Sequence, residues 1–312
     1  MVTFKDIEIA HNRISKYVYN TPIMTSKTLN NDTGAKLFFK CENFQKTGSF
    51  KIRGATNAIL QLKKADIPKG IITTSSGNHG AAVSYTAREI GASSQVIMPE
   101  NTPKNKIDNV KRYGGRIIFC EPNIKSREQT LEKIVNKSGA SIIHPYNDEK
   151  IIAGQGTAAK ELIEEVPDLD AIICPVSGGG LLSGTLLSAK ELKPNLEVFG
   201  AEPKNADDTY RSILNNKIMS NTTTNTIADG LRAQLGSITF PIIKNNVNSI
   251  LLVSEEMIIN SMYLIWQILK IIIEPSCSIV LAALLLNSEK FINKKVGLIL
   301  TGGNYDIKRV PW

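Results

Sequence analysis

Between Ile71 and Pro145 short apolar runs alternate with helical stretches of about 10 to 15 residues, and this alternation constrains the fold more than any other feature. Ile71–Thr74, Gln95–Met98, Arg116–Cys120 and Ser141–Ile143 read as strands, with helices over Ala81–Ile90, Pro103–Tyr113 and Ser126–Lys137 between them. Strands apolar on both faces and joined through helices form a parallel sheet covered on both sides. A second alternation follows: a helix over Gly156–Glu165, a strand over Ala171–Val176, a helix over Leu181–Lys193 and a strand over Leu196–Ala201. Ile250–Val253, an apolar helix from Met257 to Ile273, a helix over Ile279–Leu286 and a closing strand, Val296–Leu300, complete it. Leu37–Lys40 reads as a strand, a helix starts after Ser49, and the polar stretch Asn215–Asn225 reads as a surface loop. Neither terminal segment makes a full sheet alone. The expected architecture is therefore α/β, with two open, mostly parallel twisted sheets flanked by helices. A small domain of residues 66–146 is inserted in a large one made of 1–65 and 147–312.

The length of 312 residues suits two domains with well-buried cores. The formal charge of +8 is spread along the chain rather than gathered into an arm, which speaks against nucleic acid and for a small anionic ligand. The apolar helix from Met257 is interrupted by Asn260, Gln267 and Lys270 and falls short of the roughly 20 apolar residues of a membrane span. No membrane association is expected. The N-terminus carries Asp6 and Glu8 with no apolar run behind them, so no secretory signal and a cytoplasmic location are expected. Cys41, Cys120, Cys174 and Cys277 lie far apart and read as core thiols.

The sharpest local motif follows the strand at Ala171: Ser177-Gly178-Gly179-Gly180-Leu181, opening a helix. Glycines between a strand end and a helix start let several backbone N–H groups converge on an anion, and the helix dipole adds favourable potential. A simple tight turn would require one glycine, not three. A triphosphate-binding loop is excluded because Leu181-Leu182, not Lys and a hydroxyl residue, follow the last glycine. A dinucleotide loop remains a competitor, with Gly178 and Gly180 in place, Ser183 where the third glycine belongs and Glu202 near the expected acid position. Two further loops follow strands, Ser75-Ser76-Gly77-Asn78-His79-Gly80 and Thr301-Gly302-Gly303-Asn304. Singly, Ser76 or Asn78 could cap a helix; jointly, the loops can grip one compact ligand at the carboxyl ends of the strands. Lys51 stands between Phe50 and Ile52, close to Lys46 and Arg53. Desolvation and neighbouring cations lower an amine's pKa toward the neutral form that a Schiff base requires. A phosphate loop, a polar loop, a terminal Thr-Gly-Gly and this lysine make pyridoxal phosphate the leading cofactor, ahead of a nicotinamide dinucleotide or a non-catalytic amino-acid sensor.

Ser49-Phe50-Lys51-Ile52-Arg53-Gly54-Ala55 and the three loops resemble the fold-type II pyridoxal phosphate enzymes, whose architecture is tryptophan synthase β-like. Within these the chain is similar to the serine racemase and serine/threonine dehydratase family over Phe4–Asn304. Ala201–Asp208 and Thr226–Arg232 are similar to the racemase branch. The resemblance implies that Lys51 carries the cofactor as a Schiff base, that Asn78 contacts the pyridine 3-hydroxyl oxygen, and that Thr301 faces the ring nitrogen. It implies that Ser177, Gly178, Gly179, Gly180 and Leu181 hold the phosphate. Ser75, Ser76, Asn78 and His79, with Arg127, would bind the substrate carboxylate. Glu202, the Ala206 carbonyl and Asp208 resemble a divalent cation site for Mg2+, or Ca2+ or Mn2+. A nucleotide effector such as ATP would use Lys46, Thr47, Tyr113, Lys270 and Asn304. A homodimer is implied as well.

The activity implied is racemisation of serine together with dehydration of serine or threonine, giving D-serine, or pyruvate and ammonia. Lys51 would take the Cα proton on one face, and Ser76 would return one on the other. The alternative is a dehydratase of threo-3-hydroxyaspartate or threonine without racemisation. Ala81, Ser177, Ala233 and Cys277-Ser278 depart from family patterns and bear on substrate scope, not on the cofactor.

Overall fold

The computed structural model describes residues 1–75 and 77–312; Ser76 lies outside the described residues, and of Ile124 only the backbone is described. In chain order come helix α1 (Phe4–Ile14), strand β1 (Ile23–Met24), α2 (Lys27–Thr33), β2 (Lys36–Cys41) and α3 (Lys51–Ile59). Next are β3 (Ile71–Thr74), α4 (Asn78–Glu89), β4 (Ser94–Pro99), α5 (Lys104–Arg112), β5 (Arg116–Cys120), α6 (Ile124–Ser138) and β6 (Ser141–Ile142). The chain continues through α7 (Glu149–Glu165), β7 (Ala171–Pro175), α8 (Gly180–Leu192), β8 (Glu197–Pro203), α9 (Asp208–Leu214) and α10 (Thr239–Asn246). It ends with β9 (Ser249–Val253), α11 (Glu255–Leu269), α12 (Pro275–Leu286) and β10 (Lys295–Leu300).

Two sheets form. One has six strands in the order β1-β2-β10-β7-β8-β9, the other four in the order β5-β4-β3-β6. Every pairing is parallel except β1 with β2. The expected mixture of two mostly parallel sheets is therefore what the chain builds. Side-chain alternation along the strands explains why both faces of the larger sheet are covered. Leu37, Phe39, Ile173, Leu298 and Leu300 point to one core with α11 and α12, while Ile172, Cys174, Val198 and Ile299 point to another with α7 and α8. In the smaller sheet Val96 and Met98 face α4 and α5, and Ile72 and Ile97 face α6.

Two helix starts differ from the sequence reading for local reasons. Helix α7 begins at Glu149 rather than Gly156, because the Asp148 carboxylate accepts from the N–H groups of Lys150 and Ile151 at 2.7 and 3.1 Å and caps an earlier turn. Helix α12 begins at Pro275, a residue suited to the first helical position, where its missing N–H is not needed. Helix α1 buries Ile7, Ala10 and Ile14, a spacing that lays one apolar stripe on α7.

Three helices cross closely enough to exclude side chains. A Cβ on Gly154 would lie 2.6 Å from the Gly54 Cα, joining α7 to α3, and one on Gly184 would lie 2.6 Å from the Gly156 Cα, joining α8 to α7. The helix that starts at Lys51 is thus locked through α7 to the helix that starts at the triple glycine.

Candidate active site

Lys51 is the first residue of α3, and the segment before it is irregular. Thr47 and Gly48 adopt left-handed conformations at φ +63° and +74°. The segment is stitched to the end of β10: the Phe50 N–H donates to the Thr301 carbonyl at 3.1 Å, the Gly303 N–H to the Gly48 carbonyl at 3.0 Å, and Ser49 pairs with Gly302. The half-buried Lys51 amine donates to the Pro145 carbonyl at 3.0 Å. Burial pushes its pKa down to about 8, against the pull of the Glu274 carboxylate. Pro145 is presented by a turn in which His144 Nδ1 accepts from the N–H groups of Tyr146 and Asn147 at 3.2 and 2.9 Å.

The glycine loop runs from the end of β7 into α8. Gly179 caps the helix at φ +89°, and a Cβ there would lie 2.7 Å from Ile243 and 2.8 Å from Thr239. A Cβ on Gly178 would collide with the Tyr146 ring, so the tyrosine lies over the loop. Thr239 Oγ1 donates to the Gly178 carbonyl at 2.8 Å, and Ser177 Oγ accepts from the Ala233 N–H at 3.1 Å. Only glycine backbone fits here, and the first N–H groups of α8 remain for an anion.

Asn78 opens α4, whose N-cap is Gly77, so the asparagine side chain is free of capping duty. It donates to Glu274 Oε1 at 2.7 Å and accepts from Asn304 at 2.8 Å. Asn304 in turn donates to the Thr47 carbonyl at 2.7 Å. Glu274 is the functional candidate that sequence reasoning missed. Burial raises its pKa to about 7, and Asp229 adds to that, while Lys106, Asn78 and Lys51 oppose it. The signal that could have found it is a glutamate immediately before Pro275, at a helix start facing the lysine loop. Lys106 of α5 is ion-paired with Asp229, which joins the smaller sheet's layer to the 226–236 loop.

The remaining residues divide. Ser75 follows β3 and accepts from the Gly77 N–H at 3.3 Å; Ser76 falls outside the described residues. His79 is buried, with Nε2 3.1 Å from the Ile143 carbonyl, and burial together with the Lys51 charge lowers its pKa to about 3. Its ring is therefore neutral and turned into the smaller sheet. Arg127 on α6 is half-exposed and close enough to lower the pKa of Tyr146 against the raising effect of its burial. Thr301 is buried at the end of β10. Glu202 lies near the end of β8, Ala206 in the turn that follows, and Asp208 opens α9. Glu202 accepts from the N–H groups of Thr209 and Tyr210 at 3.0 Å each, and Asp208 from the Leu235 N–H at 3.0 Å and Asn221 at 2.8 Å. The two Glu202 oxygens thus hold the first turn of α9 in place.

Residues 14–302 match the model of the pyridoxal-phosphate dependent enzyme family. The chain belongs to that family. It is 49% identical over 313 residues to serine racemase of Dictyostelium discoideum, covering 99% of this chain and 97% of that one. It is 48% identical over 310 residues to beta-hydroxyaspartate dehydratase of Paracoccus denitrificans, covering 99% and 98%. The crystal structure of the Dictyostelium serine racemase superposes with a TM-score of 0.93 over 98% of this chain and 99% of that one. The chain is thus a fold-type II pyridoxal phosphate enzyme, and its residues fit the group. Gly178 and Gly179 leave no room for a Cβ, the amine is desolvated, and Thr47 Oγ1, Ser49 Oγ and His79 Nδ1 are buried with no hydrogen-bond partner among the described residues.

Proposed function

We propose that this enzyme acts on small β-hydroxy amino acids, racemising serine and dehydrating serine or threonine to a 2-oxo acid and ammonia. The observation that carries the reading is the desolvated Lys51 amine, held 3.0 Å from the Pro145 carbonyl and locked by glycine crossings to an anion cradle. Bound pyridoxal phosphate supplies an electron sink for the pair left when the substrate Cα–H bond breaks. Ser177, Gly178, Gly179, Gly180 and Leu181 would hold its phosphate, Asn78 would contact its 3-hydroxyl oxygen, and Thr301 would face the ring nitrogen. A neutral hydroxyl there, unlike a carboxylate, would not favour protonation of that nitrogen. Lys51 takes the Cα proton and Ser76 returns one on the opposite face. Ser75, Ser76, Asn78, His79 and Arg127 would receive the substrate carboxylate; the His79 ring is held through Nε2 against the Ile143 carbonyl.

Glu202 and Asp208 support a divalent cation with the Ala206 carbonyl, Mg2+ first. Both carboxylates are buried, and burial raises both pKa values, to about 8 and about 6, so a hard cation taking oxygen ligands would offset the cost of keeping them charged. Of the residues that a nucleotide effector would use, Lys46, Thr47, Tyr113, Lys270 and Asn304, two share a pocket, Lys270 and Asn304. We further propose residues 66–146 as a small domain inserted in a large one of 1–65 and 147–312, a homodimer and a cytoplasmic location. No described helix is long and apolar enough to cross a membrane.

The second reading, dehydration of threo-3-hydroxyaspartate without racemisation, is favoured by the similarity to the Paracoccus dehydratase. Incubation with L-serine, L-threonine and threo-3-hydroxyaspartate, with and without magnesium, separates the two when both enantiomers and oxo acid are measured. D-serine together with pyruvate supports the first; oxaloacetate alone supports the second. A colourless protein, or borohydride label on a lysine other than Lys51, refutes both.

A further inference from the structure

Behind the catalytic lysine lies a closed cluster of four buried charges that the chemistry above does not use. Arg53, two residues after Lys51 on α3, is fully buried. Its Nε and Nη2 donate to the two oxygens of Glu42 at 2.8 Å each, and its Nη1 and Nη2 donate to the two oxygens of Glu161 at 2.6 and 2.7 Å. Thr157 Oγ1 takes the fifth N–H, on Nη1, at 3.1 Å, and the Tyr19 carbonyl shares an Nη2 hydrogen at 3.2 Å. The buried Lys40 amine donates to Glu161 at 2.7 Å, the Thr21 carbonyl at 2.8 Å and Asn20 at 3.0 Å, and Thr21 Oγ1 donates to Glu42 at 2.5 Å. Two cations meet two anions, and no polar atom of the four is left without a partner.

Geometry distinguishes this cluster from ordinary core packing. Glu42 follows β2, Arg53 is on α3 and Glu161 is on α7, so one guanidinium ties together the strand before the irregular lysine segment, the helix after it and the helix that leads to the glycine loop. Its planar fork holds both partners bidentately, which fixes direction as well as distance. The segment between Glu42 and Lys51 has left-handed residues at Thr47 and Gly48 and no regular strand or α-helix of its own to set its course. Burial lowers the Arg53 pKa, but the two carboxylates outweigh it and keep the guanidinium charged. A buried ion cluster is weak evidence for stability but a means of specifying one conformation.

We propose that Arg53, clamped between Glu42 and Glu161, is a positioning residue that aims the Lys51 amine at the carbonyl of the cofactor. The proposal rests on Lys51 being the covalent anchor, and borohydride trapping on wild-type protein tests that separately.

The experiment compares two variants, Arg53→Lys and Glu161→Gln, with wild type, all freed of cofactor. Lysine keeps the charge of Arg53 and loses the fork; glutamine keeps the shape of Glu161 and loses the charge. Two quantities are read: the affinity for pyridoxamine phosphate, which has the phosphate but no aldehyde for the lysine, and the rate at which added pyridoxal phosphate becomes borohydride-fixable on the Lys51 peptide. That capture joins amine nitrogen to aldehyde carbon with loss of one water. Thermal melts report folding. In Arg53→Lys the capture rate falls roughly a hundredfold, as for an amine displaced by about 1 Å, while pyridoxamine phosphate binds as in wild type. Glu161→Gln shows a smaller loss in the same direction. Capture at the wild-type rate overturns the proposal. So does an equal loss of capture and pyridoxamine phosphate binding, or unfolding of both variants, because the cluster then serves the fold rather than the aim of the lysine.

Discussion

Replacing Gly154 by alanine tests whether helix crossings set the distance between lysine and anion cradle. The added Cβ would sit 2.6 Å from the Gly54 Cα, 2.7 Å from the Arg53 carbonyl oxygen and 2.9 Å from its carbon. All three are backbone atoms of α3, so no rotamer change relieves them. To reach the 3.4 Å at which ordinary contact begins, α3 and α7 must part by 3.4 − 2.6, or about 0.8 Å. Overpacking of this kind destabilises by about 1–3 kcal/mol. For a chain of 312 residues that lowers the melting temperature by roughly 1.5–5 °C. The shift carries Lys51 with α3, so covalent capture of pyridoxal phosphate should slow by roughly tenfold to a hundredfold. Thermal melts of apoprotein and borohydride trapping read the two effects. Gly91→Ala is the control: nothing lies within 4 Å of its Cβ, but φ is +71°, so it should lose about 1–2 kcal/mol of stability from strain alone with no change in capture. A Gly154→Ala protein that melts like wild type, or one whose capture is no slower than that of Gly91→Ala, refutes the argument.

Two further outcomes follow from other groups. Burial lowers the His79 pKa to about 3 in the fold, against the ordinary 6.5, so the unfolded chain binds the extra proton between those limits. The stability it contributes is complete above pH 6.5 and is lost progressively as pH falls toward 3; at pH 5 the loss is about 2 kcal/mol, from 1.5 pH units at 1.36 kcal/mol each. Denaturation in urea at pH 7 and 5 should show that slope in wild type and a flatter one in His79→Asn; equal slopes would contradict it. Magnesium at a hundredfold excess over its dissociation constant should stabilise the protein by about 2.7 kcal/mol. Glu202→Gln should remove the rise in melting temperature, and an undiminished rise would place the cation elsewhere.

The features that the sequence shows plainly are those whose chemistry is contiguous. Gly178-Gly179-Gly180 reads as a strand-to-helix turn from the sequence alone, because strand end, left-handed cap and helix start are all local. Lys51 was legible for a similar reason, its apolar neighbours Phe50 and Ile52 foretelling desolvation. What the sequence hides are partners brought together by sheet assembly. The Pro145 carbonyl lies 94 residues from Lys51, and Glu274 lies 196 residues from Asn78. The short helices α2, α9 and α10 were equally hidden. In α2, Lys27–Thr33 has little helix propensity of its own and is held by the Ser26 side chain at one end and left-handed Gly34 at the other.

Arg53 shows where a reading confined to neighbours goes astray. In the sequence it counts as a cation close to Lys51 that helps to keep the amine neutral. In the fold its charge is matched by Glu42 and Glu161, and the influences on the Lys51 amine are burial, which lowers its pKa, and Glu274, which raises it. The lowered pKa therefore has a different physical origin from the one that sequence proximity suggests, and the two make different predictions. If neighbouring cations set it, neutralising Arg53 would raise the lysine pKa. If burial sets it against Glu274, neutralising Glu274 lowers that pKa further and neutralising Arg53 alters aim before it alters charge.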